Sequence, residues 1–256
     1  MSLLGRFLFK TLPGEWAQAL RKHASADDGP QNATPQASYL DRLCKLLKGR
    51  QEVDQCTQFL KRHGFVSHND PCKDWDLAHI VRAIGDGNVL DMGSSDSYIL
   101  RNLLHKGTSG AKYGIDLRPP LVAVSGVKYL VGDLMETALP AGFFANITCL
   151  SVIEHQVDFD RFAAEAARLL ASGGRLFVTF DYWEPKVVPP IKLFELDWQP
   201  LDAALLREFI ATCARHGLRL IMDFDYSLGD AVINAAYFSP HPDVSYTFGM
   251  AVFQKA

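Results

Sequence analysis

The chain has no apolar run near the roughly 20 residues that a membrane span needs, and no two cysteines stand in a CxxC pair. Its five cysteines, Cys44, Cys56, Cys72, Cys149 and Cys213, are odd in number and widely spaced. That excludes a disulfide framework and a CxxC zinc site, and fits free thiols in a reducing, cytoplasmic setting. His68, Cys72 and His79 lie near one another, but no further ligand set accompanies them, so no metal is expected. A surplus of positive charge is also missing. The 26 Lys and Arg are outnumbered by 29 Asp and Glu, for a net charge of -3, which speaks against a strongly basic nucleic-acid binder. What is present is ordinary for a soluble globular protein: 48% apolar and 21% charged residues. At 256 residues there is room for one large α/β domain, or one domain with an appendage.

The opening MSLLGRFLFKTLP is interrupted by Arg6 and Lys10, and no small-residue cleavage site follows, against a secretory signal. Two readings stand open for residues 1–12: a terminal helix docked on the protein, or an amphipathic helix lying weakly on a membrane surface. Residues 24–37 (ASADDGPQNATPQA) are polar, contain proline and lack periodicity, so they read as a linker. A helix is then expected from Ser38, with Leu40, Leu43, Leu46 and Leu47 on one face. A second follows Gly49 with Val53, Cys56, Phe59 and Leu60, and Gly64 closes it. Residues 1–74 are therefore predicted as an N-terminal helical region and residues 75–256 as the main domain.

From Trp75 the rhythm changes. A helix (DLAHIVRAI) precedes a strand (NVLDMG), and a helix (SYILRNLLHK) ends at Gly107. Three short apolar runs follow, AKYGID, VKYLVGD and NITCLS. The helix DFDRFAAEAARLLAS then stops at Gly173–Gly174 before RLFVTF. Such alternation predicts a mostly parallel sheet covered by helices on both faces. In the tail, a helix (LREFIATCARH) precedes two strands, LRLIMDFDYS and YTFGMAVFQ, with no helix between them. These predict an antiparallel end to a Rossmann-like sheet of seven strands.

Ligands of open parallel sheets bind at the carboxyl ends of the strands, near the point where strand order reverses. Those ends carry Asp91 and Gly93, then Asp116, then Asp133 and Leu134, then Ser151, Glu154 and His155, and finally Asp181 and Tyr182. Gly93 lets backbone approach a ligand closely. A carboxylate at Asp116 can accept both hydroxyl hydrogens of a ribose, and Asp133 can accept from a purine amino group. The Leu134 amide can donate to a ring nitrogen. Together they describe a pocket for an adenosine-containing molecule. For Asp116 and Asp133 a plain turn position is the competing explanation. Glu154 and His155 could instead cap the next helix.

VLDMGSSDS, YGIDLRP, GDLMETALP and CLSVIEHQVDFDRFAAEAARLLASGGRLFVTF together resemble, in correct order, four motifs of the class I S-adenosylmethionine-dependent methyltransferases. The resemblance covers the chain from about Trp75 onward. It implies S-adenosylmethionine as cofactor, held by Asp91, Gly93, Ser95, Asp116, Leu117, Asp133, Leu134 and Ser151. The first motif departs from the family pattern, with Ser95 and Ser97 where second and third glycines usually stand. Ser95 is expected to reach the cofactor carboxylate and Ser97 to cap the following helix. The family's acceptor hydroxyls need a base, for which His155 stands first, Asp181 second and Glu154 third. Lys73, Trp75, Tyr182 and Trp183 are expected on the acceptor side. Asp76 is a further candidate to cover the cofactor, and the competing reading puts Trp75 in the core. The aromatic, proline-containing stretch from Asp181 to Pro200 suits a small polar acceptor. The resemblance is to the small-molecule branch, including methyltransferases of surface sugars and secondary metabolites. The alternative is a non-catalytic methyltransferase-like subunit that binds a partner, and an oligomer is compatible with either.

Overall fold

Eight strands form the main sheet of the computed structural model, which describes residues 42–187, 192–193, 196–234 and 244–256. The expected terminal segment 1–12, the linker at 24–37 and the start of the helix from Ser38 lie outside the described residues. Leu40–Ala256 form one compact unit.

The strands are β1 (Lys45–Leu46), β2 (Val89–Met92), β3 (Lys112–Asp116), β4 (Val127–Val131), β5 (Phe144–Leu150), β6 (Leu170–Tyr182), β9 (Leu218–Leu220) and β10 (Thr247–Lys255). A separate two-stranded piece joins β7 (Lys192–Leu193) to β8 (Leu196–Asp197). The main sheet runs β4-β3-β2-β5-β6-β10, and both β1 and β9 pair with the far edge of β10. From β4 to β6 every pairing is parallel, whereas β10 is antiparallel to all three of its neighbours. This is the predicted sheet with one strand added.

Among the described residues five helices accompany it: α1 (Arg50–Arg62), α2 (Asp74–Ala83), α3 (Tyr98–Lys106), α4 (Phe159–Leu169) and α5 (Ala203–Arg215). The alternation of β6 sorts them. Leu176, Val178 and Phe180 pack in one apolar cluster with Phe162 of α4 and Phe209 of α5. Phe177 belongs to the other cluster, with Leu60 of α1, Ile80 of α2 and Leu100 of α3. Asp158 caps α4 by accepting from the amides of Asp160 and Arg161, and Asp202 caps α5 through the Leu205 amide.

Two expectations change at the edge of β10. Residues 45–46 form a strand rather than the second half of a helix from Ser38. Leu46 packs in one cluster while Leu43 and Leu47 pack in the other, a division that a period of two gives and one helix face does not. The second change follows from the first. LRLIMDFDYS keeps only Leu218–Leu220 as strand, because Lys45 and Leu46 occupy the edge opposite Met250 and Gly249. The displaced chain pairs outside them, with the Asp225 amide donating to the Cys44 carbonyl at 3.0 Å. Gly249 is required there, since a β-carbon would run into the Phe180 ring. Among the described residues no helix is long and apolar enough to cross a membrane.

Candidate active site

Strand order reverses at β2, which lies between β3 and β5, so a crevice opens at the carboxyl end of β2. Asp91 sits at its floor. It accepts from Thr148 Oγ1 at 2.7 Å and from Ser97 Oγ at 3.0 Å. Burial pushes its carboxyl up to about 6, against the lowering effect of the two hydroxyls. Asp91 thus braces the loop against β5. Ser97 does not cap α3 as expected: its hydroxyl is spent on Asp91, and its backbone is left-handed with φ of 45°.

The loop after β2 is pinned to β3. The amides of Gly93 and Ser94 both donate to the Ile115 carbonyl, at 2.8 and 3.0 Å. Gly93 has φ of 78°, and a β-carbon on it would collide with Val152. Ser95 is left-handed too, with φ of 39°. A non-glycine residue in that region costs about 1–2 kcal/mol, and the loop holds two. In return, the Ser95 amide donates to Asp116 Oδ2 at 2.9 Å, and the Arg118 amide donates to Oδ1 at 3.2 Å.

Asp116 therefore stands at the end of β3, half-buried and aimed by two amides. A carboxylate offers about four acceptor positions, so capacity for two hydroxyl hydrogens remains. Leu117 beside it is 60% exposed, a large apolar side chain with nothing over it. On the neighbouring strand end, the Gly132 amide donates to the Asp116 carbonyl, which draws the two strand ends together. Asp133 accepts from the Met135 amide at 2.8 Å and faces Arg161 at 3.4 Å. Leu134 is buried in the first cluster.

Across the crevice the polar groups are enclosed. Lys73 ends a short 3-10 turn, Pro71–Lys73, just before α2. Its Nζ donates to Ser151 Oγ at the end of β5. It lies 3.5 Å from Asp76 Oδ2, 3.6 Å from Asp181 Oδ1, and 3.6 Å from the centre of the Phe248 ring. Asp181 also accepts from Trp198 Nε1 at 2.9 Å, and its amide donates to Glu154 Oε1 at 3.2 Å. Thr179, two residues before Asp181 on the same face of β6, donates to Asp76 at 3.1 Å.

Burial pulls the Lys73 ammonium down, but Asp76 and Asp181 outweigh it and hold it above the usual lysine range. Asp76 is pushed up to about 6 by burial, with Lys73 opposing. Burial and then Asp181 push Glu154 well above the usual carboxylate range. His155, half-buried in the turn after β5, is pulled down by burial, so its ring is neutral at pH 7.

Lys73, Ser151, Glu154 and Asp181 are thus brought together, while Asp116 and Asp133 flank the other side of β2. Trp75 is not with them. It is fully buried, with its indole nitrogen donating to Glu52 at 3.2 Å, which is a core position and not an acceptor surface. Tyr182 points into the first cluster, and its hydroxyl donates to Glu184 at 2.7 Å. Trp183 is half-buried beside the second cluster. Sequence reasoning had Trp198 only as part of the aromatic stretch from Asp181 to Pro200 and Tyr246 only as the end of a loop from Asp225 that could complete the site, and it missed Phe248. Their only signal was aromatic residues in the segments that follow or pair with the end of β6.

Residues 90–178 match the family model described as a methyltransferase domain. An arsenite methyltransferase from Aquipseudomonas alcaligenes is 28% identical over 180 residues, 60% of this chain and 51% of that protein. The chain thus spans about half the length of that curated relative. An S-adenosylmethionine dependent methyltransferase from Mesorhizobium loti superposes with a TM-score of 0.50 at 13% identity, over 71% of this chain and 97% of that one. A geranyl diphosphate C-methyltransferase from Streptomyces coelicolor A3(2), solved with S-adenosyl-L-homocysteine, gives 0.50 at 15% identity, over 81% and 77%. At such identities the two structures speak to fold alone. Together with the strand order around β2, these matches show a methyltransferase-like Rossmann fold in which residues 90–178 are similar to a methyltransferase domain.

Proposed function

We propose that this protein is an S-adenosylmethionine-dependent methyltransferase acting on a small polar acceptor. The observation that carries the reading is the contact between the Ser95 amide and the Asp116 carboxylate. It joins the loop after β2 to the acid at the end of β3, and so forms one continuous wall at the carboxyl end of the sheet. Asp116 would hold the ribose hydroxyls. Asp133 and the Leu134 amide would meet the adenine, with Leu117 against its face. The loop at Gly93 and Ser95, together with Ser151, would hold the amino-acid end, and Asp91 keeps that loop in place from below.

The cofactor supplies a methyl group on a sulfonium, already a strong electrophile. The protein's task is to align the acceptor and receive its proton. Asp181 and His155 are the groups suited to receive it. Asp181 is aimed by Trp198 and Lys73, and His155 has a neutral ring. Glu154 grips the Asp181 backbone and acts through it.

The relative's named substrate, arsenite, is not carried over. All five cysteines are buried in the fold, so no set of thiols faces the crevice for a thiol-seeking ion. The enclosed acids and neighbouring aromatic rings suit a polar organic acceptor better, such as a sugar or a secondary-metabolite intermediate.

Calorimetric titration with S-adenosylmethionine and S-adenosylhomocysteine tests the cofactor reading. Micromolar binding is expected, and Asp116→Ala should weaken it at least about tenfold. Unchanged affinity in that variant would overturn the placement of the ribose.

A further inference from the structure

The polar cluster at the ends of β5 and β6 is out of charge balance. Asp76 and Asp181 share the ammonium of Lys73, and Glu154 lies against the Asp181 backbone. Asp76 is fully enclosed, and Glu154 and Asp181 are 2% and 6% exposed. One oxygen on each of the three, Asp76 Oδ1, Glu154 Oε2 and Asp181 Oδ1, is buried without a hydrogen-bond partner among the described residues. Asp181 Oδ1 has its ion pair with Lys73, and the other two oxygens have no such contact among the described residues. A buried carboxylate oxygen left without a donor is costly, by about 1–3 kcal/mol or more. A protein that tolerates several at one place has a use for them.

The same place already shows what it accepts. The Lys73 ammonium rests on the face of Phe248. Tyr246 packs against that ring, and Trp198 packs edge-on to Tyr246 at 5.1 Å. Carboxylates beside aromatic faces make a seat for organic cations. Lys73 enters from the α2 side and covers one oxygen each of Asp76 and Asp181, so the seat is only part-filled.

We propose that the cluster formed by Asp76, Glu154, Asp181 and Phe248 is a subsite for a second organic cation, beside the ammonium of Lys73. That cation is an onium group carried by a ligand of the crevice: the positively charged centre of the cofactor, or an amino group on the acceptor. The first source rests on the function proposed above, and the second does not. A neutral polyol can donate hydrogen bonds here, but it leaves the charge imbalance in place.

The full chain is titrated calorimetrically at pH 7.5 with two matched pairs. The first is sinefungin, which has carbon in place of the sulfur and bears an ammonium where the cofactor's methyl stands, against S-adenosylhomocysteine, which carries no charge at that centre. The second is ethanolamine against ethylene glycol, with and without S-adenosylhomocysteine. A preference of at least tenfold for sinefungin, cut at least fivefold by Glu154→Gln, assigns the subsite to the cofactor's charge. Binding of ethanolamine but not ethylene glycol, lost in Glu154→Gln, assigns it to an acceptor amine. Asp76→Asn serves as the second variant if Glu154→Gln fails to fold. Equal affinity within both pairs, or a preference that both variants leave unchanged, overturns the proposal. If neither nucleoside binds, the cofactor reading fails and the ethanolamine pair alone decides the inference.

Discussion

The two sides of the crevice are built on opposite principles. On the β3–β4 side the acids are reachable by solvent and held by backbone amides. Asp116 takes its orientation from Ser95 and Arg118, and Asp133 from Met135. On the β5–β6 side they are enclosed and held by side chains: Lys73, Thr179 and Trp198. An acid held by amides at the surface can exchange partners with a ligand at little cost. An acid held in the interior depends on its counter-charge for the stability of the fold. The first arrangement suits reversible capture of a nucleoside, and the second suits fixed placement of reacting groups.

The sharpest way to break this contrast is Lys73→Met. It strips Asp76 and Asp181 of their cation, and the loss of one partner from a buried ion pair costs about 3–5 kcal/mol. Urea unfolding should show a loss of that order. A loss below about 1 kcal/mol would mean that the β5–β6 side is as solvated as the other.

The next effect belongs to Asp91, on the floor between the two sides. Its carboxyl is raised in the fold to about 6, so the folded state holds a proton that the unfolded chain has released. Its contribution therefore favours the fold below about pH 4 and is lost as pH rises towards about 6. The loss is roughly 2–3 kcal/mol for a shift of this size. Asp91→Asn should flatten the stability profile across that window relative to the parent. Parallel profiles would show that Asp91 is solvated.

Asp116→Ala belongs to the open side. It should lower cofactor affinity by about 1.4 kcal/mol or more while shifting the urea midpoint little. A large stability loss with unchanged affinity would invert the comparison. The smallest effect is expected from Ser95→Gly, which removes the penalty of a left-handed serine and should gain at most about 1 kcal/mol. A loss of stability there would mean that the serine side chain holds the loop.

Much of this was legible in the sequence because strands here end in marked residues. Asp91, Asp116, Asp133 and Ser151 each close an apolar run, α3 stops at Gly107, and α4 starts on the capping Asp158. The rest was hidden for identifiable reasons. The leucines at 43, 46 and 47 satisfy a helical face as well as a strand, and only the open edge of β10 decides between them. Ser97 reads as a helix cap until Asp91 competes for its hydroxyl. Trp75 stands next to Lys73 and Asp76, yet faces Glu52, since adjacent helical positions point in different directions. Trp198 meets Asp181 through a fold-back that no local pattern announces.

The short strand at Lys45–Leu46 also sets an order of events in synthesis. Its partners are Gly249 and Met250, and the neighbouring Thr247 hydroxyl donates to the Leu47 carbonyl across a separation of 200 residues. At a ribosome adding about 5–20 residues per second, that early segment waits roughly 10–40 s for the strand it will close. During this interval its leucines and unpaired amides are on offer to other chains. A long-range closure of this kind slows folding and makes the nascent chain a natural client for chaperones.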